Sequence, residues 1–269
     1  MNTSVERHTL SGERVLHFCA AGLLGLGSSL SLYASAQNNP EAAALRSDAT
    51  AVRVQQPGTL LVVGFMGGRI KANNMVHQEA QIAQSLQRRN ASSIRVLTFA
   101  NHDGSHALQA VVKFVDTDGD GVLDESERRG ARVVIYGHSW GASETVNLAR
   151  TLDHMGVPVL LTIQVDSVQK TGENDRMIPA NVQQAMNFYQ DEGLLSGRSR
   201  ILANDPHRTL ILGNQRLSYK HASVNCDRFP WFARTFMKPH IEIENDPHVW
   251  NRVEAMIQER VDLPDLDHR

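Results

Sequence analysis

The sequence has few cysteines, little net charge and no long uninterrupted apolar run. Its 269 residues include two cysteines, Cys19 and Cys226, and the formal net charge is -2. A disulfide framework is therefore excluded as the main source of stability, and a chain of this length can bury a full core in one α/β domain. The near-neutral charge balance argues against a nucleic-acid partner.

The first 36 residues have the pattern of a secretory signal peptide. Arg7 and Arg14 supply positive charge, an apolar segment follows at 18–33, and the small residues at 34–36 suit a cleavage site. Serines interrupt the apolar segment, which is also short for a spanning helix, so we expect no stable membrane insertion after cleavage. The pattern predicts export to the periplasm or the medium; a buried N-terminal helix is the alternative.

The remainder of the chain divides into a polar segment and one domain. Residues 37–56 are small and polar, and we expect them to form a flexible mature N-terminus. Residues 57–269 are predicted to form the domain. After cleavage Cys226 is the single cysteine, and a lone cysteine is more often a small buried hydrophobe than a nucleophile.

Apolar strands alternate with amphipathic helices throughout the domain. This alternation predicts an α/β fold with a mostly parallel sheet and helices on both faces. The first predicted strand lies in the apolar run at 58–68, which ends in glycines, and the other predicted strands cover residues 93–100, 131–137, 158–166 and 208–214. The predicted helices cover residues 74–89, 105–115, 143–156, 179–190 and 246–261.

A serine stands between two glycines where the third predicted strand ends. Gly137, Ser139 and Gly141 form a G-x-S-x-G pattern, with an apolar strand before it and a helix after it. In such a turn the glycines remove side chains that would collide, and the helix N-terminus favours negative charge near the serine hydroxyl. The context therefore predicts a nucleophile elbow rather than an idle glycine-rich turn.

The segment GHSWGAS at 137–143 resembles the elbow of the α/β-hydrolase superfamily, especially its esterases, lipases and thioesterases. The resemblance covers roughly residues 57–269 and extends, more loosely, to exported bacterial hydrolases. It implies that Ser139 is the nucleophile of an acyl-enzyme mechanism. It also implies that an acid and then a histidine follow the serine along the chain.

The general base is expected shortly before the last helix. His240 stands there and is the favoured residue, whereas His221 is the competitor and His248 lies too far into the helix. His138 is not expected to act as the base, because a neighbour on a tight turn points elsewhere.

The acid departs from the commonest family pattern. That pattern places the acid after the predicted strand at 208–214, where this chain has Asn214. An asparagine can orient a histidine but does not stabilise its charged form. We therefore favour Asp166, which ends the preceding predicted strand, with Asp205 as the fallback.

Acyl transfer also needs donors for the oxyanion that forms. The family resemblance implies the backbone N–H of Trp140, the residue after the nucleophile. The second donor is expected from the glycine-containing loop at 64–68, where Phe65 and Met66 are both candidates.

A loop of crowded carboxylates precedes the elbow strand. The segment DTDGDGVLDESE matches the twelve-residue calcium loop D-x-D-x-D-G with glutamate at its last position. It resembles an EF-hand loop inserted before the nucleophile strand. No second loop is found, so a structural Ca²⁺ site is expected rather than a sensor. The expected ligands are Asp116, Asp118, Asp120, the Val122 carbonyl, Asp124 and Glu127.

The patterns together predict an exported serine hydrolase that acts on a small-molecule ester or acyl substrate. Carboxylic esters and thioesters are the expected substrate class, with Ser139, Asp166 and His240 as the triad. Two alternatives remain open. One is a calcium-binding or interaction protein on a hydrolase scaffold with little activity, and the other is an amide-cleaving hydrolase.

Overall fold

A computed structural model of the chain describes residues 58–221 and 223–262. The predicted signal peptide at 1–36 and the predicted N-terminal segment at 37–56 lie outside these residues. Within the two described ranges, no helix combines the length and the hydrophobicity needed to cross a membrane.

A six-stranded sheet forms the centre of the described region. Its strand order is β2-β1-β3-β4-β6-β8, and every neighbouring pair is parallel. The parallel sheet predicted from the alternation of strands and helices is therefore confirmed. The strands are β1 (Leu60–Met66), β2 (Ile94–Ala100), β3 (Val133–His138), β4 (Val159–Val165), β6 (Val182–Tyr189) and β8 (Leu210–Arg216), and a separate two-stranded sheet pairs β5 (Met177–Ile178) with β7 (Leu202–Ala203).

Helices cover both faces of the large sheet. They are α1 (Gln78–Arg89), α2 (Gly104–Val115), α3 (Glu125–Gly130), α4 (Trp140–His154), α5 (Trp231–Phe236), α6 (Lys238–Asn245) and α7 (Pro247–Asp262). Residues of α1 and α7 join the hydrophobic cluster on one face, and residues of α2 and α4 join the cluster on the other.

Strand β1 shows why the central strands are continuous apolar runs. Leu60 and Val62 pack into the cluster with α1 and α7, whereas Leu61 and Val63 pack into the cluster with α2 and α4. Because successive side chains of a strand point to opposite faces, a strand covered on both faces needs apolar residues at every position.

The helix predicted at 179–190 is wrong, because this segment contains strand β6. The three-residue spacing of Val182 and Ala185 imitates a helical period, and both residues are buried. Strand β6 hydrogen-bonds to β4 on one side and β8 on the other. Pairing with two neighbouring strands determined the conformation, and the spacing of apolar residues within 179–190 does not indicate that pairing.

Cys226 has the environment expected of a lone structural cysteine. It is free, buried and packed in a small hydrophobic cluster with Phe229 and Ile241. Burial and, next, the nearby Glu242 carboxylate raise the pKa of its thiol to about 11. The thiol is therefore protonated and poorly nucleophilic near neutral pH.

Candidate active site

Ser139 lies on a sharp turn between β3 and α4. Its backbone has φ 57° and ψ −124°, and α4 begins at the next residue, Trp140. The Ser139 N–H donates a hydrogen bond of 3.0 Å to the carbonyl of Val165 at the end of the neighbouring strand β4. A non-glycine residue with this φ is strained, and the surrounding structure maintains this conformation, which places the side chain at the carboxyl end of the sheet.

The two elbow glycines are required by backbone packing. A Cβ atom on Gly137 would lie 2.5 Å from the Gly141 carbonyl, and a Cβ atom on Gly141 would lie 2.3 Å from the Phe65 carbonyl. These are contacts with main-chain atoms, which cannot rotate away. The G-x-S-x-G spacing therefore lets β3, α4 and β1 approach one another at Ser139.

The structure brings Ser139, Asp166 and His240 together. His240 Nε2 lies 2.9 Å from Ser139 Oγ, and His240 Nδ1 lies 2.6 Å from Asp166 Oδ2. Helix α6 carries the histidine, Asp166 follows the last residue of β4, and all three side chains are buried. The arrangement is one hydroxyl, one imidazole and one carboxylate in a continuous hydrogen-bonded line.

Sequence reasoning missed two residues that hold Asp166. Gln190 donates from its backbone N–H to Oδ1 at 3.0 Å and from its side-chain amide to Oδ2 at 2.8 Å. Gly197 lies against the same carboxylate, because a Cβ atom there would be 2.1 Å from Asp166 Oδ1. Neither residue has a sequence signal, since both approach Asp166 only after β6 has been placed beside β4.

The competing candidates for base and acid lie elsewhere. His221 and His248 are exposed. Asp205 Oδ1 accepts a hydrogen bond from the His207 N–H within a turn. Asn214 Oδ1 accepts one from the Ile201 N–H at 2.7 Å, so its side chain ties two backbone segments together.

Phe65 and Met66 belong to strand β1, and their prediction as loop residues is wrong. Their main chains pair with neighbouring strands, and the turn begins at Gly67. A Cβ atom on Gly67 would lie 3.2 Å from Ser139 Cβ, so this turn does reach the elbow. The roles of Phe65, Met66 and Trp140 as oxyanion donors stay predictions.

A group of four titratable side chains, which we call the buried His/Glu cluster, lies beside the elbow. Its members are 8% exposed or less. Each comes from a different segment: the loop before α1, α1 itself, β3 and α6. The cluster consists of His77, Glu79, His138 and Glu244.

Burial and mutual charge control protonation within the buried His/Glu cluster. Burial and then the Glu244 charge raise the pKa of Glu79 above its usual value. Burial would lower the pKa of His77, but its hydrogen bond to Glu244 and the nearby carboxylates raise it. Burial, and then the neighbouring His240 and His77, hold the pKa of His138 well below its usual range, although the His240 backbone partly opposes this. The His138 ring is therefore neutral.

Sequence reasoning did not find this cluster. His138 was expected to point away from the reaction, and its ring instead lies against that of His240, with ring centroids 4.6 Å apart. Glu244 follows His240 by four residues, which places both on one face of α6. That spacing was the available signal.

The acidic loop at 116–127 brings three carboxylates together. Asp116, Asp118 and Asp120 offer oxygens that lie within 4.8 Å of one another. Gly121 has φ 83°, which is the sharp turn expected at the sixth position of the loop.

The last two predicted calcium ligands form the start of α3. The Asp124 side chain accepts a hydrogen bond from the Glu127 N–H, and the Glu127 side chain accepts one from the Asp124 N–H. Glu127 Oε1 also accepts hydrogen bonds from Thr117. Val122, whose carbonyl was the remaining predicted ligand, is exposed.

A cavity of about 650 Å³ lies on the face covered by α2 and α4. The described residues that line it include Asn101, Glu144 and Lys170 but none of Ser139, Asp166 and His240. This cavity is therefore separate from the hydrogen-bonded line at the elbow.

Comparison with known proteins gives structural matches only. No family model matches the sequence, and no curated protein matches it. The matches to solved structures include esterases, at low similarity. An esterase from Pseudomonas putida ECU1011 has 9% identity and a TM-score of 0.43, with coverage of 78% of this chain and 76% of that chain.

Two further matches have the same low similarity. A cutinase-like protein from Cryptococcus sp. has 10% identity and a TM-score of 0.40, with coverage of 76% of this chain and 95% of that chain. An arylesterase structure has 14% identity and a TM-score of 0.29. For the arylesterase, the match spans 42% of this chain and 38% of that protein's length.

The fold follows from the topology of the described residues. The six strands are parallel, helices cover both faces, and a strained serine turn joins the central strand β3 to α4. A sharp serine turn between a central parallel strand and a helix is a feature of this fold. The chain has the α/β-hydrolase fold.

Proposed function

We propose that the chain is a serine hydrolase that cleaves carboxylic esters or thioesters through an acyl-enzyme. The observation that carries the proposal is the line from Ser139 Oγ to His240 Nε2 and from His240 Nδ1 to Asp166 Oδ2, with distances of 2.9 and 2.6 Å. A serine hydroxyl is a weak nucleophile unless a base accepts its proton and a third group orients that base.

In the proposed reaction, Ser139 Oγ attacks the acyl carbon while its proton passes to His240 Nε2. Asp166 holds the Nδ1–H of the imidazole and stabilises the imidazolium that forms. The imidazolium then gives its proton to the departing alcohol or thiol, which leaves the acyl group on Ser139. Water, deprotonated by His240, hydrolyses the acyl-enzyme and restores the hydroxyl.

The oxyanion of the tetrahedral intermediate needs backbone donors on the other side of the acyl carbon. We assign one to Trp140, because it is the first residue of α4 and directly follows the nucleophile. The second comes from the end of β1, at Phe65 or Met66. The approach of Gly67 to Ser139 supports this assignment, because it brings the end of β1 to the elbow.

The test is covalent labelling with a fluorophosphonate probe, followed by mass mapping of the modified residue. We expect one label, on Ser139, because an activated serine reacts and an ordinary hydroxyl does not. Ser143 is the matched control: it is buried on the next turn and donates to Glu173 at 2.9 Å. Ser143→Ala should keep the label and Ser139→Ala should lose it. An unlabelled parent protein favours a scaffold without activity.

A substrate panel separates the proposed reaction from amide cleavage. Short activated esters, thioesters and peptides should be compared at equal enzyme concentration. Turnover of the esters or thioesters with none of the peptides is the expected result. Faster cleavage of peptides would assign the triad to the amide-cleaving alternative.

We propose a second, structural function for the acidic loop at 116–127, which is the binding of one Ca²⁺. The convergence of the Asp116, Asp118 and Asp120 oxygens supports it, since hard cations prefer several oxygen ligands. Asp124, Glu127 and the Val122 carbonyl complete the proposed ligand set. The ion would order the loop that leads into β3 and would take no part in the reaction.

We further propose that the protein is exported, on the basis of the basic, apolar and small-residue pattern in residues 1–36. The measurement is the mass of the mature N-terminus after secretion by a bacterial host. Recovery of an N-terminus near Gln37 is expected, and recovery of only the full-length chain from the cytosol would contradict the proposal.

A further inference from the structure

The buried His/Glu cluster gathers metal-binding atoms in a place that the proposed reaction does not use. Ligand atoms of His77, Glu79 and Glu244 all lie within 4.8 Å of one another. The three residues are 8%, 0% and 3% exposed. Charged groups are buried to this extent when they are paired or when they coordinate a metal.

His138 lies next to two of these residues, although it is outside the group of three whose ligand atoms all lie within 4.8 Å of one another. Its Nδ1 lies 3.8 Å from Glu79 Oε1 and 3.6 Å from Glu244 Oε2, which is too far for a hydrogen bond to either. Two ligands of one tetrahedral metal at about 2.0–2.1 Å are about 3.3 Å apart, which is close to these two separations. His77 Nδ1 and Glu244 Oε1 lie closer together, because they form a hydrogen bond with each other.

Two members of the cluster have polar atoms without partners. Within the part of the chain that the structure describes, both ring nitrogens of His138 lack a hydrogen-bond partner. The Oε2 atom of Glu79 lacks one as well. Buried polar atoms are ordinarily satisfied, so three unpartnered atoms on two neighbouring members of one buried cluster point to a ligand-binding role.

We propose that the buried His/Glu cluster binds one divalent transition-metal ion of the zinc class. Two imidazoles and two carboxylates form a mixed nitrogen and oxygen set, which suits Zn²⁺ and its neighbours rather than Ca²⁺ or Mg²⁺. A divalent cation balances the charge of both carboxylates. The site is distinct from the acidic loop, which offers oxygen ligands only.

The ion links three segments that meet at the elbow. Glu79 Oε1 accepts a hydrogen bond of 3.1 Å from the Gly67 N–H in the turn after β1. His138 directly precedes Ser139, and Glu244 lies one helical turn after His240 on α6. The cluster residues are therefore positioning residues. The bound metal holds the turn, the elbow and the histidine helix in register, and it touches no reacting atom.

The test is the metal content of the untagged full-length chain, measured by mass spectrometry of the ions. The protein is purified, incubated with Zn²⁺ and desalted. One zinc ion per chain should be retained and should be removable with a strong chelator. Replacement by Co²⁺ should give a visible absorption band, which reports direct ligation by the protein.

His77→Gln and Glu244→Gln are the informative variants, because each removes one ligand with little change in size. Loss of even an outer partner of a metal site weakens binding by about 10–100-fold, so each variant should bind the ion at least about tenfold more weakly and lose the cobalt band. The matched control is His102→Gln with His106→Gln. These exposed histidines lie 3.9 and 3.7 Å from Asp103 and could bind metal at the surface. The control should keep the ion.

Three results would overturn the proposal. The first is a parent protein that retains no ion after incubation with Zn²⁺. The second is retention of the ion by His77→Gln and Glu244→Gln at the level of the parent. The third is loss of the ion from the His102 and His106 control. The parent measurement does not depend on whether a variant folds. Because ion content is read without substrate, the outcome is also independent of the proposed role of Ser139.

Discussion

Ser139 and Asp166 both have a positive φ angle, which residues other than glycine rarely adopt. Their φ angles are 57° and 47°, and they are the two non-glycine residues with positive φ among residues 58–221 and 223–262. Ser139 directly follows β3, and Asp166 directly follows the adjacent strand β4. Each side chain hydrogen-bonds to His240. Backbone strain of about 1–3 kcal/mol at each residue persists because surrounding structure holds both side chains toward one imidazole.

Ser139→Ala is expected to abolish hydrolysis of short activated esters while the fold is kept. The change removes one hydroxyl from a triad that acts as a unit, and losses in such systems are of order a million-fold in kcat. Initial rates and circular dichroism are the measurements. Activity within about tenfold of the parent would reject Ser139 as the nucleophile, because the loss expected for a triad nucleophile is far larger.

Ser139→Gly should be more stable than Ser139→Ala, although both lack the hydroxyl. Glycine adopts positive φ without steric cost, and this relief of about 1–3 kcal/mol exceeds its extra cost in the unfolded state of about 0.4–1 kcal/mol. We expect a difference of about 1 kcal/mol in the free energy of unfolding. Denaturant titrations of both variants measure it, and equal midpoints would show that the elbow is not strained.

Asp166→Asn should cost far more activity than Asn214→Ala. An amide at position 166 removes the charge that supports the imidazolium and disturbs the histidine tautomer, with an expected loss of about 10⁴ in kcat. The Asn214 side chain bonds to Ile201 and Asn187, away from His240, so its loss should affect stability more than kcat. Equal losses of kcat in the two variants would remove Asp166 from the triad.

Gly197→Ala should lower kcat without changing any charge. The new Cβ atom would lie 2.1 Å from Asp166 Oδ1 and 2.7 Å from its Cα, so either Asp166 or the segment that carries Gly197 must shift, and the carboxylate that contacts His240 is disturbed. A displacement of this kind can cost about 10²-fold in rate. Gly213→Ala is the control, because its Cβ atom would make an ordinary contact with Met186 at 3.4 Å. Parent activity in Gly197→Ala would contradict the tight packing of Asp166.

Calcium should stabilise the protein without being needed for hydrolysis. A ligand that binds only the folded state adds about 2.7 kcal/mol at a hundred times its dissociation constant. This corresponds to several degrees in melting temperature, at about 2–4 °C per kcal/mol. Melts in chelator and in about 5 mM Ca²⁺ cover affinities from micromolar to millimolar.

The control for calcium is Asp116→Ala combined with Glu127→Gln, which removes the first and last predicted ligands. The parent should melt higher in Ca²⁺ and the double variant should not respond. An unchanged parent melt, with no Ca²⁺ bound in calorimetry, would leave the loop as a solvated acidic turn.

The sequence by itself determined the parallel α/β sheet and the elbow. Continuous apolar strands such as β1 and β3 indicate burial on both faces of the sheet. Gly137 and Gly141 indicate a turn in which a Cβ atom would overlap the backbone. These requirements are local, because each one restricts the residue type at the position where it applies. His240 and Asp166 were also predicted, because the resemblance to α/β-hydrolases implies that an acid at a strand end and then a histidine before the last helix follow the serine.

The tertiary structure alone decided what depends on distant partners. The sequence of β6 predicts a helix, and pairing with β4 and β8 makes this segment a strand. That pairing also brings Gln190 and Gly197 to Asp166. The buried His/Glu cluster likewise forms from three parts of the chain that are far apart in sequence, which carry His77 with Glu79, His138, and Glu244. A hydrogen bond between residues far apart in the chain leaves no periodicity in the sequence, because chain folding and not local conformation brings the two atoms together.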